Sequence, residues 1–123
     1  MAQHFEVHPQ NPQPRLLKQA AQILQAGGSA LDIGCGTGVV PITLAKAFPG
    51  ARIAGIDLDA HSIGIAQGYA RDAGLGDRVQ LLAQRIEDLP TGQRWDLVST
   101  FDVVHDLPDP VDALRRIRTL LAD

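Results

Sequence analysis

The sequence predicts a doubly wound α/β domain built on a parallel sheet, and three observations carry that prediction. Four short apolar runs, SALDIGC, ARIAGID, RVQLLAQ and WDLVSTFD, are separated by stretches with helical spacing of their apolar residues. Strands alternating with helices at this interval call for right-handed crossovers, which lay helices over both faces of a parallel sheet. Directly behind the first run, LDIGCGTG sets Gly34, Gly36 and Gly38 at alternate positions, where a chain turns sharply from strand to helix. The 123 residues have the length of one domain, enough to bury about two thirds of the surface of the unfolded chain.

Residues 1 to 13 are polar and carry Pro9 and Pro12, which predicts an extended lead-in with one short strand at HFEV. From Pro14 the pattern changes: Leu17, Ala20, Ala21 and Leu24 fall on one helical face, Pro14 suits a first helical position, and Gly27-Gly28 ends the helix. SALDIGC is the first strand of the alternating series. VVPITLAKAF follows as a helix that tolerates Pro41 in its first turn. ARIAGID is the second strand, and Asp59 is placed to cap the helix AHSIGIAQGYARDAG, which ends near Gly74. RVQLLAQ is the third strand, IEDLPTGQR a loop with a helical turn, and WDLVSTFD the fourth strand. After the loop HDLPDP, Asp109 caps a last helix with Pro110 in first position and Val111, Leu114, Ile117 and Leu121 as its apolar stripe. The domain reading is an N-terminal arm and amphipathic helix over 1–28 and a ligand-binding unit over 29–123.

Composition narrows the function. With 45% apolar and 20% charged residues the chain is of ordinary globular make-up, neither disordered nor fibrous. A formal charge of -3 leaves no basic surface to hold a phosphate backbone or an anionic membrane, so no nucleic acid and no membrane is expected as partner. Cys35 is the single cysteine and MAQHFEVHPQ lacks the features of a secretory signal, so a reducing cytoplasm is expected. No apolar run approaches the roughly 20 residues of a membrane span. Histidines at 4, 8, 61 and 105 show no metal-ligand spacing, and no metal is expected.

In a sheet of this kind the ligand crevice lies at the carboxyl ends of the strands, where strand order reverses. LDIGCGTG sits there, and its glycines let a ligand lie against bare backbone. The dinucleotide fingerprint GxGxxG is not met, because Val39 stands where its last glycine would. Asp57 ends the second strand, where a carboxylate can accept both hydroxyls of a ribose; its other reading, a helix cap, is already filled by Asp59.

These residues together resemble a class I S-adenosylmethionine-dependent methyltransferase. LDIGCGTG resembles the first motif of that family, GIDLD its ribose-binding second, and WDLVSTFDVVHDLPDPVDALRRIRTLL its fourth strand and following helix, in order and at family spacing over residues 29 to 121. The resemblance implies a Rossmann-like sheet of order 3-2-1-4 counted from SALDIGC. It implies S-adenosylmethionine as cofactor, with Asp32, Gly34, Cys35, Gly36 and Gly38 flanking its methionine part and Asp57 on its ribose. Leu58 would lie on the adenine, with Ile86 and Phe101 completing the cofactor-binding set. Where the family carries an acidic residue for the adenine amino group, this chain has Arg85, which only donates; Gln84, Glu87 or the backbone would then have to serve. The family pattern continues into a fifth strand, which would start just after LLAD, so the expectation is a partial domain whose acceptor wall comes from further segments or a partner. Residues 8 to 28 also weakly resemble the N-terminus of YrdC-like threonylcarbamoyl-adenylate synthases, although an ordinary amphipathic helix explains them as well.

Methyl transfer is an in-line displacement whose main demands are alignment and exclusion of water. His105 and Asp102 are the catalytic candidates if the acceptor must lose a proton, whereas Cys35, with no histidine placed beside it, is not expected to act as a nucleophile. Three functions fit: a methyltransferase acting on an unidentified small acceptor, a donor-binding module without catalysis, and a composite fold that binds the donor weakly or not at all. The fourth strand, LVSTF, lacks the charge, proline or bulge that protects natural edges. A bare edge there predicts a homodimer through WDLVSTFD.

Overall fold

A computed structural model describes the backbone of residues 3–6, 14–90 and 92–100 and side chains from Lys18 onward. The elements run β1 (Gln3–Glu6), α1 (Pro14–Gln25), β2 (Ser29–Ile33), α2 (Val39–Ala47), β3 (Arg52–Asp57), α3 (Ala60–Asp72), β4 (Val79–Ala83), a 3-10 turn (Ile86–Asp88) and β5 (Leu97–Thr100). They form one parallel five-stranded sheet of order β1-β5-β2-β3-β4. Leaving out β1, this is the order 3-2-1-4 expected from the alternating series.

Central strands show why the order holds. All five residues of β2 are buried, as are Ile53 to Ile56 of β3. Strands buried on both faces belong in the middle of a covered parallel sheet. One face packs Ala30, Ile53, Val79, Leu81 and Leu97 against Leu24 of α1, Ala45 of α2, and Ile63, Ala66 and Ala70 of α3. Alanines at the helix contacts bring α2 and α3 close to the strands. The opposite face carries Leu31, Ile33, Ala54, Ile56 and Val98, covered by Ile86, Leu89 and Trp95. The three described helices therefore share one face; the helix expected from Asp109 onward lies outside the described residues.

Arg78, just before β4, ties the lower end of this layer together. Its guanidinium donates to the carbonyls of Ala45 (2.9 Å) in the last turn of α2, Phe48 (3.3 Å) at its C-cap and Ala51 (3.1 Å) just before β3. A cation at a helix C-terminus also complements its dipole. Arg78→Ala is expected to cost about 2–3 kcal/mol, read by urea unfolding, because three carbonyls lose a charged donor together. Arg78→Lys should recover only part of this, since one ammonium cannot span the fork.

The bare edge expected at WDLVSTFD is not found. β1 pairs with β5 in parallel register from Gln3↔Leu97 to Glu6↔Thr100. Backbone groups that would have been free for a second copy are taken by the chain's own first strand, so edge pairing between copies loses its basis. The strand expected at HFEV forms one residue earlier, as QHFE.

Candidate functional site

The glycine turn between β2 and α2 is stitched to the end of β3. The N–H groups of Gly34 and Cys35 both donate to the Ile56 carbonyl, at 2.8 and 3.0 Å, and Gly38 N–H closes back on Cys35 O at 3.0 Å. Gly36 N–H donates to Asp57 Oδ2 at 2.8 Å, while Asp59 N–H donates to Asp57 Oδ1 at 2.9 Å. One carboxylate thus fixes both the turn before α2 and the turn before α3. An ionised carboxylate offers about four acceptor sites, so two remain for a ligand. Asp59 caps α3 as expected, accepting from His61 N–H at 3.0 Å.

The glycines divide into two jobs. Gly36 has φ 57°, and a Cβ built there meets nothing within 4 Å, so its bare face opens onto free space. Gly38 has φ 86°, but a Cβ there would stand 2.9 Å from Ala66 Cβ and 3.3 Å from Ile42 Cδ1. Gly38 therefore serves the contact of α2 with α3. Cys35 is also turned inward: its thiol packs under the sheet end at Gly55, and burial, with the charges of Asp32 and Asp57, pushes it up to about 12. Burial thus favours the protonated thiol over the thiolate at neutral pH.

Asp32 lies buried on β2, accepting from Ser99 Oγ at 2.8 Å. Burial pushes its carboxyl up to about 7; the Ser99 hydrogen bond opposes the rise and the nearby Asp57 charge adds to it. The folded chain therefore holds this proton more tightly than the unfolded chain does. Stability from this group is full below about pH 4 and is lost as pH rises toward 7, on the order of a few kcal/mol in all. Urea unfolding of the ligand-free protein at pH 5 and pH 8 should show the loss, and Asp32→Asn should flatten it.

Leu58, next after Asp57, is 59% exposed, available to lie against a flat ligand. Ile86 is only 4% exposed and its side chain belongs to the core beneath the sheet. Arg85 turns to the surface and pairs with Asp88, Nε to Oδ2 at 3.1 Å. Phe101, Asp102 and His105 lie outside the described residues. Ser99 escaped the sequence reading because only the register of β5 against β2, Asp32↔Ser99, brings it to the carboxylate. Among the described residues no helix is long and apolar enough to cross a membrane.

A parallel sheet whose glycine turn is locked to a strand-end carboxylate defines a Rossmann-like nucleoside-binding class of protein. The chain belongs to the class I S-adenosylmethionine-dependent methyltransferases: the model of the "Methyltransferase domain" family matches residues 24–123. The chain is 35% identical over 109 residues to a ubiquinone biosynthesis O-methyltransferase of Methylococcus capsulatus, covering 88% of this chain and 44% of that protein. It spans less than half the length of that relative. Among solved structures it is similar to PKMT2 from Rickettsia typhi in complex with AdoHcy (TM-score 0.71, 28% identity, 80% of this chain and 20% of that one). It is also similar to magnesium protoporphyrin IX methyltransferase from Synechocystis with bound SAM (TM-score 0.69, 26% identity, 87% and 53%). The likeness of residues 8 to 28 to YrdC-like proteins is not shown; Leu24 of α1 packs in the core, as in an ordinary amphipathic helix.

The residues present fit the family's cofactor. Open space over Gly36 and the spare acceptor sites of Asp57 suit a ribose with an amino-acid tail, and nothing in the turn supplies the lysine that a phosphate would need.

Proposed function

We propose that the chain binds S-adenosylmethionine over the β2–α2 turn and takes part in methyl transfer to a small acceptor. The observation that carries the reading is the Asp57 carboxylate, fixed by Gly36 and Asp59 with acceptor capacity to spare at the strand end. Asp57 takes the ribose hydroxyls, Gly34 to Gly36 run beside the methionine part, and Leu58 lies on the adenine. Buried Asp32 backs the turn and supplies negative charge toward the cationic end of the donor once it is ionised.

When bound, the donor supplies an electrophilic methyl group: its carbon–sulfur bond breaks as the bond from acceptor to carbon forms, and the sulfonium becomes a neutral thioether. Relatives named for O-methyltransferase activity support an oxygen acceptor. The proton that such an acceptor loses would go to His105 or Asp102. Further segments or a partner would complete the acceptor wall. The single buried cysteine supports a reducing, cytoplasmic setting.

Calorimetric titration with S-adenosylhomocysteine tests the reading. Micromolar binding at one site is the expected result, and no heat of binding at millimolar ligand would favour a fold that has lost its donor.

A further inference from the structure

Asp32 and Ser99 stand level as register partners on β2 and β5, and Ser99 Oγ donates to Asp32 Oδ1 at 2.8 Å. Asp32 is only 3% exposed, and among the described residues no basic side chain pairs with it. A carboxylate withdrawn from water without a cation is unfavourable, so it either keeps its proton or meets a cation from outside the chain. Its surroundings supply none. Asp57 at the end of β3 adds a like charge, and Cys35 in the turn stays a neutral thiol. Gly55, its partner on β3, has no side chain, and the buried residues of α2 and α3 are the apolar Pro41, Ala45, Ile63, Ala66 and Ala70. Among the described residues Ser99 alone favours the ionised form.

Resting on the reading of the glycine turn as the seat of the donor, we infer that Ser99 is a positioning residue for donor binding: its hydroxyl holds Asp32 by Oδ1 as a carboxylate, so that the cationic end of the donor meets a charge already in place. Ser99 itself touches no ligand and acts through Asp32. A cation binds the ionised carboxylate better than the neutral acid, so by linkage seating the donor sends the Asp32 proton to solvent. Affinity therefore rises with pH through about 7, where Asp32 of the free protein titrates, and levels off above it. Without the hydroxyl the carboxyl holds its proton longer, and the same rise moves to higher pH.

Calorimetry with S-adenosylhomocysteine, which keeps the ammonium of the donor, tests this at about pH 6 and about pH 8.5. Ser99→Thr and Ser99→Val share one branched shape suited to a strand and differ in the hydroxyl. Ser99→Thr should follow the native chain at both pH values. Ser99→Val should bind about tenfold more weakly at the lower pH and less than about twofold more weakly at the higher, since a hydrogen bond to a charged group is worth at least about one pKa unit. Asp32→Asn should bind equally at both. Thermal unfolding checks that each variant is folded, and Ser99→Ala, which adds no bulk, takes the place of a valine variant that is not. If the native chain binds but removing the hydroxyl costs nothing, or costs the same at both pH values, the assignment to Ser99 fails while the donor site stands. A rise with pH that survives in Asp32→Asn overturns it equally. If the native chain binds at neither pH, the donor reading fails and takes the assignment with it.

Discussion

Asp57→Ala is expected to weaken S-adenosylhomocysteine binding by about a hundredfold, the largest binding loss of any single change in the described part of the site. Charge-assisted hydrogen bonds to the ribose are worth roughly 1.5–3 kcal/mol, which alone gives about ten- to a hundredfold. The upper end is expected because the same carboxylate holds Gly36 N–H and Asp59 N–H. Removing it loosens the turn that the ligand would lie against, so ligand binding must also supply the ordering that Asp57 now provides. Asp57→Asn should fall between, since one acceptor oxygen remains. Calorimetry reads the affinities, and unchanged binding in the alanine variant would remove Asp57 from the site.

Gly38→Ala is expected to destabilise the fold by about 2–4 kcal/mol, because a left-handed backbone penalty adds to overpacking against Ala66. Thermal unfolding should show a drop on the order of 10 °C. Gly36→Ala is the informative contrast. It pays only the left-handed penalty of roughly 1–2 kcal/mol, since its Cβ would enter open space, but it fills that space and should impair donor binding by at least about tenfold. One glycine thus reports on the fold and the other on the ligand. A Gly36→Ala variant that binds normally would show that the open face is not where the ligand lies.

Much of this arrangement is legible in the residues themselves. The alternation of apolar runs and helical stretches gives the parallel order, because each run is either buried on both faces, like SALDI, or flanked by a helix that must cross over. The glycine turn and Asp57 are local signals, since both sit at strand ends within short stretches of chain. What escapes local reading depends on register. Ser99 reaches Asp32 only because β5 lies beside β2 with those two residues level. The separate jobs of Gly36 and Gly38 are also hidden, because identical residues two positions apart face different neighbours: one faces open space, the other a helix.

The first strand has a consequence for how the chain comes to be folded. Among the described residues β1 pairs with β5 alone, with Gln3 beside Leu97, so residues 3–6 must wait until residues 97–100 have left the ribosome. At about 5–20 residues per second, that interval lasts roughly 5–20 s, during which β2, α2, β3, α3 and β4 can already condense around their own local contacts. The stretch QHFE, with three polar residues of its four, can stay solvated meanwhile without offering an apolar template to neighbouring nascent chains. Closing the sheet edge then becomes a late, long-range event, and the β1–β5 amides should be among the last to gain protection in pulse-labelled hydrogen exchange during refolding.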